Sequence, residues 1–231
     1  MNRVISTVVK RLRHRTATRS STGKGRNVST RIAVARDRRS MRMVWKTLRF
    51  RHVGLAFFWA CSMLTFRSSI LLQGPANTPE LETLVVLVSF IANMTTLFAI
   101  AAFMERDPHT FDRLPGWLFC AFIMAGLVVI DVAGRLGSDA TMMALLVGGS
   151  VLTGVGYGYY WGSWAEYLGR MHPSRTSFYV PMAFLLTAAL FLIISLSAEY
   201  ESAPPLLLML PLPVLSLVCL RPHDPEDHAS L

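Results

Sequence analysis

Charge is scarce in this sequence. Asp, Glu, Lys and Arg make up 16% of the 231 residues, against about a quarter in a soluble domain. Hydrophobic residues reach 52% and form long blocks rather than amphipathic stripes, which excludes an ordinary soluble enzyme. Three Cys are too few for a secreted disulfide scaffold. Cys61, Cys120 and Cys219 all fall inside apolar blocks, have no metal-ligand spacing, and read as buried free thiols. Histidine is missing from the interior of every block: His109, His172, His223 and His228 fall in connectors or the tail. No Ser at depth therefore has a base to activate it. Paired carboxylates on adjacent blocks and a phosphate-cradling Gly-Lys-Ser/Thr loop are also missing. Gly154-x-Gly156 follows no strand, so it is no dinucleotide fingerprint. The expectation is a non-enzymatic protein with no catalytic residue, cofactor or metal.

Acids are nearly missing from residues 1–51. That stretch carries 16 Lys/Arg and one acid, Asp37, and no aromatic residue precedes Trp45. Residues 52–231 carry 7 Lys/Arg and 13 acids, so regions of net +15 and −6 combine to the overall +9. The arm 1–51 cannot bury enough apolar surface to offset chain entropy and is expected to be largely disordered. Val4, Ile5, Val8, Val9 and Leu12 could line one face of a short surface helix. The leading reading is a cytoplasmic arm that touches anionic lipid headgroups. Nucleic-acid binding is a weaker reading, because no fold accompanies the charge. A transit peptide, or a start at Met41 or Met43, are the remaining readings.

Six blocks approach the ~20 apolar residues that a helix needs to cross a bilayer. They fall at 53–72, 83–104, 116–134, 141–165, 178–198 and 203–220. The predicted fold is all-α: a six-helix transmembrane domain over 52–220, followed by a short cytoplasmic tail, 221–231. With a cytoplasmic N-terminus, the inside connectors hold Arg106 and Arg113, then Arg170 and Arg175, then Arg221; the outside ones hold only Arg135. The positive-inside rule then places both termini in the cytoplasm of a multi-pass cell-membrane (inner or plasma membrane) protein.

Polar groups inside a bilayer are costly, and each is a candidate ligand residue. Four stand out: Arg67 in the first block, Asn93 in the second, Asp131 in the third and Glu166 at the end of the fourth. Arg67 and Asp131 share a depth that would allow an ion pair, while Asp131 has an alternative partner four residues on, Arg135. Ser150, Gly154, Gly158 and Gly162 recur every four residues and form a stripe for close helix packing, within the chain or between two copies. Tyr157, Tyr159, Tyr160, Trp161, Trp164 and Tyr167 share that block, and those nearest its cytoplasmic end read as an interfacial aromatic belt. Pro211 and Pro213 lack backbone donors and are expected to kink the sixth block.

Six spans with cytoplasmic ends resemble one half of a major facilitator-type bundle. The stretch Gly154-Val-Gly156-Tyr-Gly158-Tyr-Tyr-Trp161-Gly-Ser-Trp164-Ala-Glu166 is similar to the membrane half of bacterial multispanning LuxR-type transcriptional regulators. The resemblance spans roughly residues 50–220. It implies a sensor-like membrane module whose family carries a helix-turn-helix domain after the bundle. Only ten residues follow Arg221, and Glu105–Arg113 lacks the Gly/Arg-rich facilitator motif. The expectations are therefore a truncated relative, half of a split regulator, or a small transporter half that dimerises or pairs with a second six-helix half. No ligand is implied by name.

Overall fold

The computed structural model describes residues 50–67, 70–72, 78–107, 113–136, 139–200 and 204–220, all within one unit, Arg49–Ser230. The basic arm, the tail and the Arg67 side chain lie outside the described residues.

Every regular element among the described residues is helical. A 3-10 turn, η1 (Phe50–Val53), leads into α1 (Gly54–Arg67). Then come α2 (Pro79–Arg106), α3 (Gly116–Arg135), α4 (Asp139–Arg170) and α5 (Pro173–Glu199). Two short helices close the series, α6 (Pro205–Met209) and α7 (Pro211–Leu220).

Local chemistry sets the boundaries. Thr78 caps α2, accepting from the Leu81 amide at 3.4 Å, with Pro79 in the first turn and Glu80 and Glu82 at the positive end of the helix dipole. The residues at 79–82 had read as an outside connector; their capping chemistry makes them helix instead. His172 plays the capping role for α5, its Nδ1 accepting from the Ser174 amide at 3.3 Å ahead of Pro173. Buried hydroxyls fold back onto their own helix: Ser150 donates to Leu146 O and Thr153 to Gly149 O.

Four helices, α2 to α5, are long and apolar enough to cross a membrane. The other two expected spans are shorter. α1 has 14 helical residues, about 21 Å against a hydrocarbon core near 30 Å. Its apolar chain continues beyond the helix as Leu71 and Leu72, which are buried but not helical. The last apolar stretch, Pro205–Leu220, is divided at Leu210 into α6 and α7. Pro211 opens α7 and Pro213 follows inside it, and neither can donate a helical hydrogen bond to the preceding turn.

The helix α4 is central. Of its most apolar stretch, 44% is buried inside the protein, against 22% in α2 and 17% in α5. It packs most extensively on α2 and α3, while α1 packs chiefly on α5 and α7. The outward faces of α2 and α5 carry Leu87, Phe90, Ile91, Phe98 and Leu185, Leu192, Ile193, a surface suited to hydrocarbon.

Small residues set the closeness of α4 to both neighbours. A Cβ added to Gly154 would collide with the Ser89 carbonyl oxygen of α2, and one on Gly158 would lie 2.7 Å from Thr96 Cβ and 2.8 Å from Asn93 O. On the α3 side, Gly126 and Gly149 face each other, and a Cβ on Gly126 would lie 2.7 Å from Gly149 O. Gly156 would press on Ile123. The Ser150/Gly154/Gly158 stripe is thus occupied by α2 of the same chain. Gly148, one position away on α4, has open space around it. Gly154→Leu should cost several degrees of melting temperature, because backbone must yield; overpacking of this kind costs about 1–3 kcal/mol. Gly148→Leu should melt like the wild type. Thermal unfolding of both variants in detergent checks the contrast, and equal melting would remove the stripe from the packing account.

An aromatic and hydroxyl layer as the candidate functional site

Two faces of α4 use small residues. The third uses large ones. Tyr157, Tyr160 and Trp164 recur at helical spacing and are fully or almost fully buried. They fill the space between α4 and the group formed by α1 and α7. Phe58 of α1 lies against Tyr157 (centroids 5.9 Å), Tyr160 (5.7 Å) and Trp161 (5.0 Å, edge-on). Tyr159 faces the other way, stacked flat on Phe119 of α3 at 4.3 Å. The interfacial-belt reading of the aromatics nearest the cytoplasmic end is therefore corrected for Trp164 and Tyr167, which are interior residues like Tyr157, Tyr159 and Tyr160, whereas Trp161 is exposed.

The polar tips of Tyr157, Tyr160 and Trp164 each find a partner on another helix. Thr65 Oγ1 donates to Cys61 O at 2.8 Å and lies 2.8 Å from the Tyr157 hydroxyl, which lies 3.2 Å from Cys61 Sγ. Because the single Thr65 proton goes to the carbonyl, Tyr157 must donate to Thr65, and the Cys61 thiol then donates to Tyr157. The result is a chain of hydrogen bonds, all in one sense, that leaves the Cys61 thiol and returns to the Cys61 carbonyl, forming a ring between α1 and α4 that closes through Cys61 itself; such chains reinforce one another. Nearer the other end of α4, Tyr160 donates to Pro213 O at 2.8 Å and Trp164 Nε1 to Ser216 Oγ at 3.0 Å, both on α7. A separate set joins α4 to α2: Ser89 donates to Ser150 O at 3.0 Å and lies 3.2 Å from Thr153 Oγ1.

The residues singled out in the sequence are distributed differently. Asp131 is buried on α3 and pairs with Arg135 one turn on, at 3.0 Å. Arg67 closes α1, and its side chain, with the Arg67–Asp131 contact, lies outside the described residues. Asn93 is buried on α2 beside Gly158, and its Oδ1 has no hydrogen-bond partner among the described residues. Glu166 is half-buried and held by Arg170 four residues on. Gly162 is partly buried on α4. Among the described residues, Asn93, Asp131 and Glu166 do not join the hydroxyl ring. Among the described residues, no group of three His, Cys, Asp or Glu could hold a metal, and Cys61, Cys120 and Cys219 are free and buried.

Sequence reasoning missed two things here. The hydroxyls of Thr65 and Ser216 were passed over, although each sits in an apolar block opposite an aromatic donor. Arg175 was counted as a connector charge, yet it is buried in the first turn of α5. The Pro173 signal for a helix start was the clue.

Neither family models, nor curated proteins, nor solved structures match this chain. What the fold defines is an all-α bundle with four helices able to cross a membrane. What the layer supplies is short-range hydrogen bonding among neutral groups, which joins α1 and α7 to the α2–α4–α3 group. Tyr157→Phe should destabilise the protein by about 1 kcal/mol, the scale of an interhelical hydrogen bond in a membrane. A double-mutant cycle with Thr65→Val should return a coupling of about 0.5 kcal/mol or more. Additive losses would mean that the ring is not a cooperative unit.

Proposed function

We propose that the chain is a non-enzymatic, sensor-like membrane module that crosses the cell membrane six times with both termini cytoplasmic. Its helices follow one another through short connectors, and its positive charge gathers on one side of that path. Arg106, Arg113, Arg170 and Arg175 fall at the end where η1 and α1 begin, and Arg135 falls at the other. In this reading α1 and the α6–α7 pair complete their crossings with the residues that flank them, and the basic arm rests against anionic headgroups.

The observation that carries the sensor-like reading is the layer along α4. It is the place where two groups of helices meet through side chains rather than through close backbone contact. Its polar bonds are few, directional and neutral. An interface of this kind can exchange partners at low cost, whereas the glycine-lined α2–α4–α3 contacts cannot shift without backbone collisions. The similarity of the Gly154–Glu166 stretch to the membrane half of LuxR-type regulators points in the same direction. The packing of Trp164, Tyr157 and Tyr160 into the middle of the bundle favours this module over a transporter half, which needs an open path there.

Topology and mass test the proposal. Ala76→Cys and Ser138→Cys should react with a membrane-impermeant maleimide on intact cells, because the native thiols are buried. Thr110→Cys and Ser174→Cys should react only after permeabilisation. The reverse pattern at any of the four would overturn the six-crossing path. Light scattering in detergent should give the mass of one chain plus its micelle; a stable dimer would restore the transporter-half reading.

A further inference from the structure

Two residues, Met171 and His172, join α4 to α5, and His172 supplies the acceptors for the first turn of α5. Pro173 has no N–H to satisfy. The Ser174 amide donates to His172 Nδ1 at 3.3 Å, and the Arg175 and Thr176 amides donate to the His172 carbonyl at 2.9 and 3.2 Å. The Ser174 hydroxyl lies 2.8 Å from the same Nδ1. An accepting Nδ1 carries no proton, so the ring is neutral with its proton on Nε2. The caps of α2 and α5 therefore differ in kind. Thr78 accepts through a hydroxyl that keeps its lone pairs at every physiological pH, and Glu80 and Glu82 follow it. His172 accepts through a lone pair that protonation removes.

Protonation reverses the sense of this contact. Nδ1–H then faces two donors. The Ser174 hydroxyl can rotate and accept, but the Ser174 amide can only donate and loses its acceptor. The new positive charge also sits at the positive end of the α5 dipole, where the first turn contains no acid to offset it. Among the described residues, the charged and titratable groups on the elements around this turn are Glu166, Tyr167 and Arg170 on α4, Arg175 and Tyr179 on α5, and His52 on η1. Glu166, the acid of that set, is held by Arg170. A helix gripped along its length would absorb the loss of one cap. α5 is the least buried of the four long helices, with 17% of its most apolar stretch inside the protein, so its first turn depends more on the cap.

We propose that His172 is a pH-sensitive cap, which holds the first turn of α5 while its ring is neutral and releases it on acidification. The capping contribution is present at the alkaline end and is lost as pH falls. The switch does not rest on the sensor-like or six-crossing reading, because detergent opens both ends of the bundle to the buffer. The test melts the full chain in neutral detergent from about pH 8 to about pH 5.5, the range in which imidazole groups change charge. His172→Asn places an amide oxygen at the cap, and that oxygen accepts at every pH in the range. Other titrating groups shift wild type and variant alike, so the quantity read is the difference between the two melting temperatures. On acidification the wild type should fall about 2–4 °C relative to His172→Asn, the loss of one cap in a chain of this size. A difference that stays constant, or moves the other way, overturns the proposal. If the variant does not fold, amide hydrogen exchange of the wild type carries the test. Protection of the Ser174 amide, corrected for the intrinsic pH dependence of exchange, should fall about fivefold over the same range. Unchanged protection at Ser174 overturns the proposal as well.

Discussion

The structure depends on how α4 holds its neighbours. In hydrocarbon, apolar surfaces gain nothing by leaving the solvent, so helices adhere through close van der Waals contact and hydrogen bonds. The helix α4 meets that constraint in two ways. Where it faces α2 and α3, glycines and hydroxyl residues let backbones come within reach of each other, as at Gly154 with Ser89 and Gly126 with Gly149. Where it faces α1 and α7, backbones stay farther apart, and Tyr157, Tyr160 and Trp164 fill the gap and bond across it.

These two solutions divide the bundle into parts of unequal stiffness. A glycine contact has one geometry, because any slide brings Cβ atoms or carbonyls into collision. An aromatic layer joined by a few neutral hydrogen bonds is held by side chains, without such backbone collisions against α4. The Cys61–Tyr157–Thr65 ring marks the point where the two groups are registered to each other. Asn93, with a buried oxygen that finds no partner among the described residues, sits on the stiff side, against Gly158. Such a group is affordable where tight packing on both sides already holds the helix.

Much of the fold was legible because the apolar blocks are long and the connectors carry turn chemistry. The centres of α2, α3, α4 and α5 fall where the blocks predict them. Their edges moved wherever capping outweighed polarity: Glu80 and Glu82 read as connector residues but sit in the first turn of α2 behind Thr78 and Pro79. The small-residue stripe of α4 was legible as a packing surface, since spacing alone puts Ser150, Gly154 and Gly158 in line. That it meets α2 was not, because spacing says nothing about which helix occupies a groove. The cytoplasmic end of the aromatic run, Trp164 and Tyr167, was misread for a related reason. A Tyr or Trp near the end of an apolar block suits both a headgroup belt and a core, and only a neighbouring helix with an acceptor such as Pro213 O or Ser216 decides between them.

Composition and order along the chain determined that this protein is helical, apolar on its outside, strongly basic at its start and short of charge thereafter. Those properties follow from local propensity and the transfer of side chains out of water, and they need no partner to act. Tertiary structure alone decided that α4 lies at the centre, that its tyrosines and Trp164 face inward, and that His52 of η1 stacks on Tyr179 of α5. Each of these depends on which surfaces meet, and residues as far apart as Cys61 and Tyr157 are brought together only when helices pack.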